Sequence, residues 1–205
     1  MKLFTLPDLV ALACFVGAWI GYAVAVEWTP RGRDTLNAHM DRYREVWMRR
    51  MLHREARMVD MQIMAALQNG TAFFASTSLI AIGGALSLLR STDDTIGLVI
   101  IFAYAFFKFA WSYRLYNYVA ILLGAMPFSA DKETPEAVSH IRRTARLFQS
   151  AGRHFNRGQR AFFLAIGYLG WFAGPYVLIV TTAAVIVVMW RRQFASESRR
   201  AVMED

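Results

Sequence analysis

The 205-residue sequence has few of the residues from which disulfide frameworks, metal sites and common enzyme sites are built. The lone cysteine, Cys14, excludes a disulfide or a Cys-based zinc site within one chain. Walker loops, dinucleotide glycine fingerprints, G-x-S-x-G elbows and H-E-x-x-H motifs are also absent. His39 and His53, like His140 and His154, would lie about 21 Å apart on a helix, too far to share a metal. The sequence therefore predicts no metal, no cofactor and no enzyme activity.

Apolar residues make up most of the sequence. They make up 56% of the chain without counting Gly, above the ~45–50% of soluble proteins with Gly counted, which excludes an ordinary soluble domain and a disordered chain. The formal charge is +8, but the basic residues are interleaved with acids and form no recognisable nucleic-acid-binding motif. We therefore predict anionic membrane lipid as the partner, no nucleic acid, and an all-α, polytopic integral membrane helical bundle that forms one domain over 1–205.

Five apolar stretches are predicted to cross the membrane, since roughly 20 apolar residues make one crossing. They cover 6–26, 69–89, 96–126, 156–173 and 175–192. The first stretch has the features of a capping box, Thr5 with Asp8, and Pro7 in its first turn. A cleavable signal peptide is its rival, although the apolar run is longer than the 7–15 residues of a signal h-region.

The last apolar region has two interpretations. Gly174-Pro175 is the ordinary punctuation of a helix break, which favours two short spans in a hairpin. One long kinked helix would instead give four spans in total. The short turn between the second and third spans carries Asp93 and Asp94, which we expect at the positive end of the next helix.

Two arginine-rich connectors, 34–68 and 135–155, are predicted to be amphipathic cytoplasmic helices. Their apolar residues recur at steps of three and four: Leu36, Met40, Tyr43, Trp47 and Met51 in the first, and Val138, Ile141, Ala145, Phe148, Gly152 and Phe155 in the second. Such stripes either pack on a neighbouring helix or lie in the headgroup layer. By the positive-inside rule the N-terminus is outside, and with five spans the C-terminus is cytoplasmic.

A group of polar residues near the inner ends of the spans is the candidate binding site for a phosphate, a carboxylate or a lipid headgroup. Its members are Lys108, Arg114, Asn117, Asn69, Asn156, Arg157 and Arg160. Hydrogen bonds to helix ends, or snorkelling to the interface, are the structural alternative. No acidic residue lies in the middle of a predicted span, which argues against a carboxylate proton relay.

Several runs resemble one membrane-protein family. The run 156–163 (NRGQRAFF) followed by 170–175 (GWFAGP) is similar to the most recognisable stretch of the bacterial family known as domain of unknown function 599. A second similar segment includes 107–109 (FKF), Arg114, 116–118 (YNY) and 124–127 (GAMP). The resemblance implies a membrane protein without an assigned activity and emphasises Lys108, Arg114, Asn117 and the 156–160 run.

Three functions compete. The first is an accessory or scaffold protein of the bacterial inner membrane, oligomeric or part of a complex, whose Arg-rich cytoplasmic side contacts anionic lipid. Small residues every four positions along the first span, Gly17 and Gly21 among them, permit close helix contact within a chain or between copies. The alternative is a small channel or transporter for an anionic solute that uses Lys108 and the Arg/Asn cluster. An enzyme acting on lipid is third, because no nucleophile and base can be named.

Overall fold

The computed structural model describes residues 5–54, 56–88, 95–127 and 134–203, and within these ranges the chain is helical without strands. The helices are α1 (Leu6–Glu27), α2 (Leu36–Leu52), α3 (Met58–Leu88), α4 (Ile96–Gly124), α5 (Pro135–Tyr168), α6 (Pro175–Phe194) and α7 (Glu197–Met203), with short 3-10 helices at Pro30–Asp34 and Leu169–Ala173. The all-α fold class is confirmed. The predicted acidic turn with Asp93 and Asp94 lies outside the described residues.

Four segments of the described chain are long and apolar enough to cross a membrane, as a multi-pass protein requires. They are Leu6–Glu27, Met58–Ser87, Ile96–Gly124 and Pro175–Met203. The predicted span over 156–173 is not one of them, because its residues form the end of α5 and the 3-10 helix Leu169–Ala173. A crossing by that shorter segment stays a prediction.

Two boundaries drawn between connectors and spans fall inside continuous helices. α3 begins at Met58 rather than at 69, and α5 runs without interruption through 155 and 156. Neither junction contains a proline, and a single glycine inside a helix weakens it by only about 1 kcal/mol, so helical hydrogen bonding continues from the polar into the apolar part.

Two helix starts, those of α1 and α5, follow ordinary capping chemistry. At α1 the backbone N–H of Thr5 donates to Asp8 Oδ2 over 2.9 Å, which confirms the capping interaction. At α5 the hydroxyl of Thr134 accepts from the backbone N–H of Ala137 over 3.2 Å.

The predicted helix break at Gly174 is also confirmed. Gly174 has a φ of 122° and a ψ of 168°, between the 3-10 helix Leu169–Ala173 and the Pro175 that opens α6. Only glycine adopts this conformation without strain, and proline suits the first helical position that follows. The predicted alternative of one continuous kinked helix therefore does not occur.

The chain folds into two compact units, each assembled from segments that are separated in sequence. The first unit comprises Met1–His39, Ser78–Ala105 and Gln159–Asp205, and the second comprises Met40–Thr77 and Phe106–Gly158. The single-domain organisation over 1–205 stays a prediction.

In the first unit, α1 and α6 have their C-terminal ends side by side. Tyr22, near the end of α1, donates its hydroxyl to the carbonyl of Met189, near the end of α6, over 3.2 Å. Beyond α6, Arg199 Nε donates to the carbonyl of Asp34 over 2.8 Å. The two helices therefore run parallel, and the residues after α6 return to the segment that follows α1.

The second unit has its own hydrophobic core, to which α2, α3, α4 and α5 all contribute. Phe148 of α5 lies in this core and is 1% exposed. Its ring makes T-shaped contacts with Trp47 of α2, with ring centroids 5.3 Å apart, and with Tyr116 of α4 at 5.8 Å. Other core members are Met48, Met51, Leu52, Met64, Leu115, Val119, Leu123, Met126, Ala137, Ile141, Ala145 and Ala151. The stripe predicted on 135–155 is thus largely packed against neighbouring helices.

Candidate functional site

An open groove of about 490 Å³ lies in the second unit. One face of α2 supplies Met40, Tyr43, Arg44, Val46, Trp47 and Arg50. The remaining lining residues are Arg54, which follows α2, Ile63 and Leu67 of α3, and Phe148 of α5. The volume is within the roughly 300–1,000 Å³ of small-molecule sites.

The predicted stripe on α2 explains why this face of the helix forms a groove wall. Met40, Tyr43 and Trp47 recur at steps of three and four, so they lie on one side of the helix, and all three line the groove. Met51, the last residue of the stripe, and Met48, on the adjacent face, are fully buried in the core. The stripe is therefore anchored at its C-terminal end, and its earlier residues Met40, Tyr43 and Trp47 remain partly uncovered.

A buried carboxylate, that of Asp60, contacts two residues that line the groove. Asp60, in the first turn of α3, is 0% exposed. Its Oδ1 accepts a hydrogen bond from Trp47 Nε1 over 2.6 Å and an ion-paired hydrogen bond from Arg54 over 2.5 Å. Its Oδ2 is buried without a hydrogen-bond partner among the described residues. Because charge-assisted hydrogen bonds are the strong ones, Asp60 fixes the positions of both lining side chains.

A second carboxylate orients Arg44. Asp41 accepts from Arg44 Nη1 over 2.6 Å and from Arg153 Nη1 over 3.5 Å. Burial raises the pKa of the Asp41 carboxyl, and the nearby guanidinium groups of Arg44 and Arg153 lower that pKa in part. The Arg44 guanidinium also lies over the Phe148 ring at 5.5 Å, in cation–π contact. A Cβ at position 152 would lie 2.6 Å from Arg44 Cζ, so Gly152 leaves the room that this guanidinium occupies.

The groove is basic. Arg44, Arg50 and Arg54 line it, and no acidic residue of the described ranges joins them in the lining. Arg44 and Arg54 are each neutralised by an aspartate, whereas Arg50 is exposed and has no ion pair with another described residue. The arrangement therefore combines an apolar wall with an available guanidinium, a group suited to phosphate or carboxylate.

Two residues of the predicted cluster, Asn117 and Arg114, have hydrogen-bond partners within the second unit. Asn117 Oδ1 accepts from Gln68 Nε2 over 2.9 Å, and Arg114 Nε donates to the hydroxyl of Tyr118 over 2.6 Å. Arg114 and Asn69 are exposed. The structure thus couples Asn117 to Gln68, a residue outside the predicted cluster.

The other predicted site residues are divided between the units. Lys108, Asn156 and Arg157 belong to the second unit and are partly buried, and Lys108 and Arg157 each take part in an interaction with their surroundings. Arg160 belongs to the first unit, where its guanidinium forms an ion pair with Glu27 at the end of α1.

Asp60, Arg50 and Arg54 were not predicted as site residues. The stripe of Met40, Tyr43 and Trp47 was visible in the sequence, but nothing in it indicated that these residues line an open groove. Asp60 gives no distinctive signal, because a carboxylate in a first helical turn is ordinary helix-dipole chemistry. Its pairing with a tryptophan thirteen positions away becomes visible only once α2 and α3 are placed together.

No metal site is found in the part of the chain that the structure describes, where no group of three His, Cys, Asp or Glu side chains could hold an ion. His140 contacts the carbonyl of Leu122 at 2.8 Å, and His39 contacts that of Thr35 at 2.9 Å. These two rings have backbone partners, as structural histidines do.

The fold defines an all-α chain with four helices suited to spanning a membrane among the described residues. Comparison with known families gives a match over residues 10–99 and 94–198 to the family described as "Protein of unknown function, DUF599". The chain belongs to this family, as the NRGQRAFF and GWFAGP runs indicated. No curated protein and no solved structure matches the chain.

Proposed function

We propose that this protein is an accessory or scaffold protein of the bacterial inner membrane whose arginine-rich side contacts anionic lipid. In this proposal it acts without chemistry of its own, as an oligomer or as a subunit of a larger membrane complex. The basic segments lie on the cytoplasmic side, where the anionic leaflet attracts them.

The observation that carries the proposal is the surface of α2. Arg42, Arg49 and Arg50 are exposed on a helix that also leaves Tyr43 and Val46 exposed, the latter by 38%. A helix that presents guanidinium groups beside apolar side chains is suited to the headgroup layer, where each Arg gains about 1 kcal/mol from anionic lipid.

The arrangement of the first unit supports five passages with a cytoplasmic C-terminus. Because α1 and α6 run parallel, their C-terminal ends belong on one side of a membrane. The contact of Arg199 with Asp34 and the ion pair of Arg160 with Glu27 place basic residues near both ends of the last hairpin beside the end of α1 and the segment that follows it. This is the side that the positive-inside rule assigns to the cytoplasm.

The uncovered small residues of α1 support association between copies. A Cβ added at Gly17 or Gly21 would meet nothing within 4 Å. Their face is therefore open to a second helix, and small residues are what close helix pairs in membranes require.

The first experiment compares lipids. The full chain, purified in a neutral detergent, should gain thermal stability when phosphatidylglycerol is added and less when phosphatidylcholine is added, and the difference should shrink at high salt. Native mass spectrometry should show a fixed oligomer or retained anionic lipid. Equal stabilisation by both lipids, together with a clean lipid-free monomer, would overturn the proposal.

A channel or transporter for an anionic solute is the alternative. It needs Lys108, Arg114 and Asn117 to face a path, but Asn117 is bonded to Gln68 and Arg114 to Tyr118. These contacts favour a structural role for both residues. Liposome anion flux that falls on Lys108→Ala and Arg114→Ala would favour the alternative instead.

A further inference from the structure

The groove on α2 and α3 has two kinds of surface that one ligand could satisfy. The apolar part is exposed on both helices, since Val46 is 38% and Ile63 45% accessible. The basic part is formed by Arg44, Arg50 and Arg54. Neither an apolar solute nor a simple anion would use both parts.

Two of the three arginines in the basic part are held in place before a ligand binds. Asp60 fixes Arg54 and Trp47 through its Oδ1, and Asp41 fixes Arg44 against Phe148. Side chains ordered in this way lose little further conformational entropy on binding. Arg50 remains without an ion pair to another described residue, and it is therefore the guanidinium that an incoming anion can neutralise.

We propose that this groove binds one molecule of an anionic phospholipid, with an acyl chain along Val46, Ile63 and Leu67 and the phosphate at Arg50. The inference rests on the proposed function, because it requires the α2 surface to meet anionic lipid, and it adds a discrete site to a general surface attraction. Charge complementarity selects this occupant, since Arg50 lines the groove without an ion pair to another described residue and the described lining carries no carboxylate. The volume of about 490 Å³ and the open form suit a headgroup with part of a chain, while the rest of the lipid extends outward.

The chain offers a matched pair of arginines to test the site. Arg49 and Arg50 are neighbours on α2 and both are exposed, but only Arg50 lines the groove. Both changes are made in a Glu45→Gln background, because Glu45 otherwise pairs with Arg49 over 2.7 Å. Arg50→Ala and Arg49→Ala then each remove one unpaired charge, so a general surface attraction treats them alike. A discrete site weakens for Arg50→Ala by about fivefold, the equivalent of roughly 1 kcal/mol, and for Arg49→Ala by about twofold or less.

The apolar part is tested in the same way on α3. Ile63→Trp places a large ring in the groove, whereas Met61→Trp makes the same kind of change at an exposed position outside the lining. Only Ile63→Trp should reduce binding. Arg50→Lys, which retains the charge, should recover part of the affinity lost in Arg50→Ala.

The measurement is native mass spectrometry of the detergent-purified full chain titrated with phosphatidylglycerol, with phosphatidylcholine and inorganic phosphate as separate arms. We expect one phosphatidylglycerol retained more tightly than the rest, lost selectively in Arg50→Ala and Ile63→Trp, and not displaced by inorganic phosphate. Equal losses for Arg49→Ala and Arg50→Ala overturn the groove but leave the general lipid contact intact. Absence of any preference for phosphatidylglycerol overturns both. Displacement by inorganic phosphate, or a change of oligomeric state in Ile63→Trp alone, overturns the lipid assignment in favour of a free anion or a second copy.

Discussion

Replacing Asp60 with alanine should destabilise the protein far more than removing a surface carboxylate. Asp60 is fully buried and accepts hydrogen bonds from Trp47 Nε1 and Arg54. Its removal leaves the indole N–H without its partner, which costs about 1–3 kcal/mol. The ion pair with Arg54 adds only about 0.2–1 kcal/mol, because that guanidinium is 45% exposed and screened by solvent. We therefore expect a loss of about 2–3 kcal/mol in the free energy of unfolding.

The comparison variants isolate the cause of this loss. Glu45→Ala removes the carboxylate of an exposed pair, in which Arg49 is 72% and Glu45 46% accessible, and it should cost no more than about 0.5 kcal/mol. Asp60→Asn keeps an oxygen that can accept from Trp47 and loses only the charge, so its cost should be about half that of Asp60→Ala.

The assay is denaturant unfolding in detergent micelles, followed by tryptophan fluorescence and fitted for the free energy of unfolding. A double-mutant cycle with Trp47→Phe measures the coupling between the two side chains, which should be about 1 kcal/mol or more. The reasoning is refuted if Asp60→Ala costs no more than Glu45→Ala, or if the cycle gives a coupling near zero.

Three further predictions concern packing, backbone conformation and pH. Gly158→Ala would place a Cβ 2.7 Å from the Phe109 ring and should cost about 1–3 kcal/mol of stability, whereas Gly84→Ala, in open space within α3, should be neutral or stabilising by up to about 1 kcal/mol in the same unfolding assay. Gly174→Ala should also lower the free energy of unfolding by about 1–3 kcal/mol, because the backbone φ of 122° at this position strains any L side chain. A Gly174→Ala protein as stable as the Gly84→Ala protein would contradict this. Burial raises the pKa of Asp41 in the folded state above its value in the unfolded state, so the folded state binds the proton more tightly. The stability that this proton contributes is present at low pH and is lost as the pH rises through the raised pKa. The native protein should therefore lose stability relative to Asp41→Asn as the pH rises above the ordinary aspartate value of about 4, and parallel pH profiles of the two would refute the assignment.

Local chemistry made several elements predictable from the sequence. The capping of α1 by Thr5 and Asp8, the start of α5 at Thr134 and the break at Gly174 all depend on residues within a few positions of one another. Four of the five predicted spans, 6–26, 69–89, 96–126 and 175–192, overlap segments long and apolar enough to cross a membrane, because length and composition suffice for that prediction. The predicted span borders at 69 and 156 lie inside continuous helices, because hydropathy changes at these positions while helical hydrogen bonding continues.

The candidate site could not be predicted to the same extent, because its contacts join residues distant in sequence. Asn117 belongs to the predicted cluster, and its hydrogen-bond partner Gln68 is on α3, 49 positions earlier. Arg160 belongs to the same predicted cluster, and its ion-pair partner Glu27 precedes it by 133 positions. The periodicity of a sequence shows which residues share a helix face. It does not show which of these faces packs against a neighbouring helix.

The two arginine-rich connectors illustrate this limit, because they have similar patterns and different surroundings. On α5 the stripe residues Ile141, Ala145 and Phe148 are buried, which is the packing outcome. On α2 the stripe residue Tyr43 is half exposed and Trp47 only partly covered, so the same spacing leaves an open wall. A stripe that is fully packed has no apolar surface left for a ligand. The residual apolar surface of α2 lies next to an arginine with no described ion pair, and it is therefore the surface that the proposed phospholipid requires.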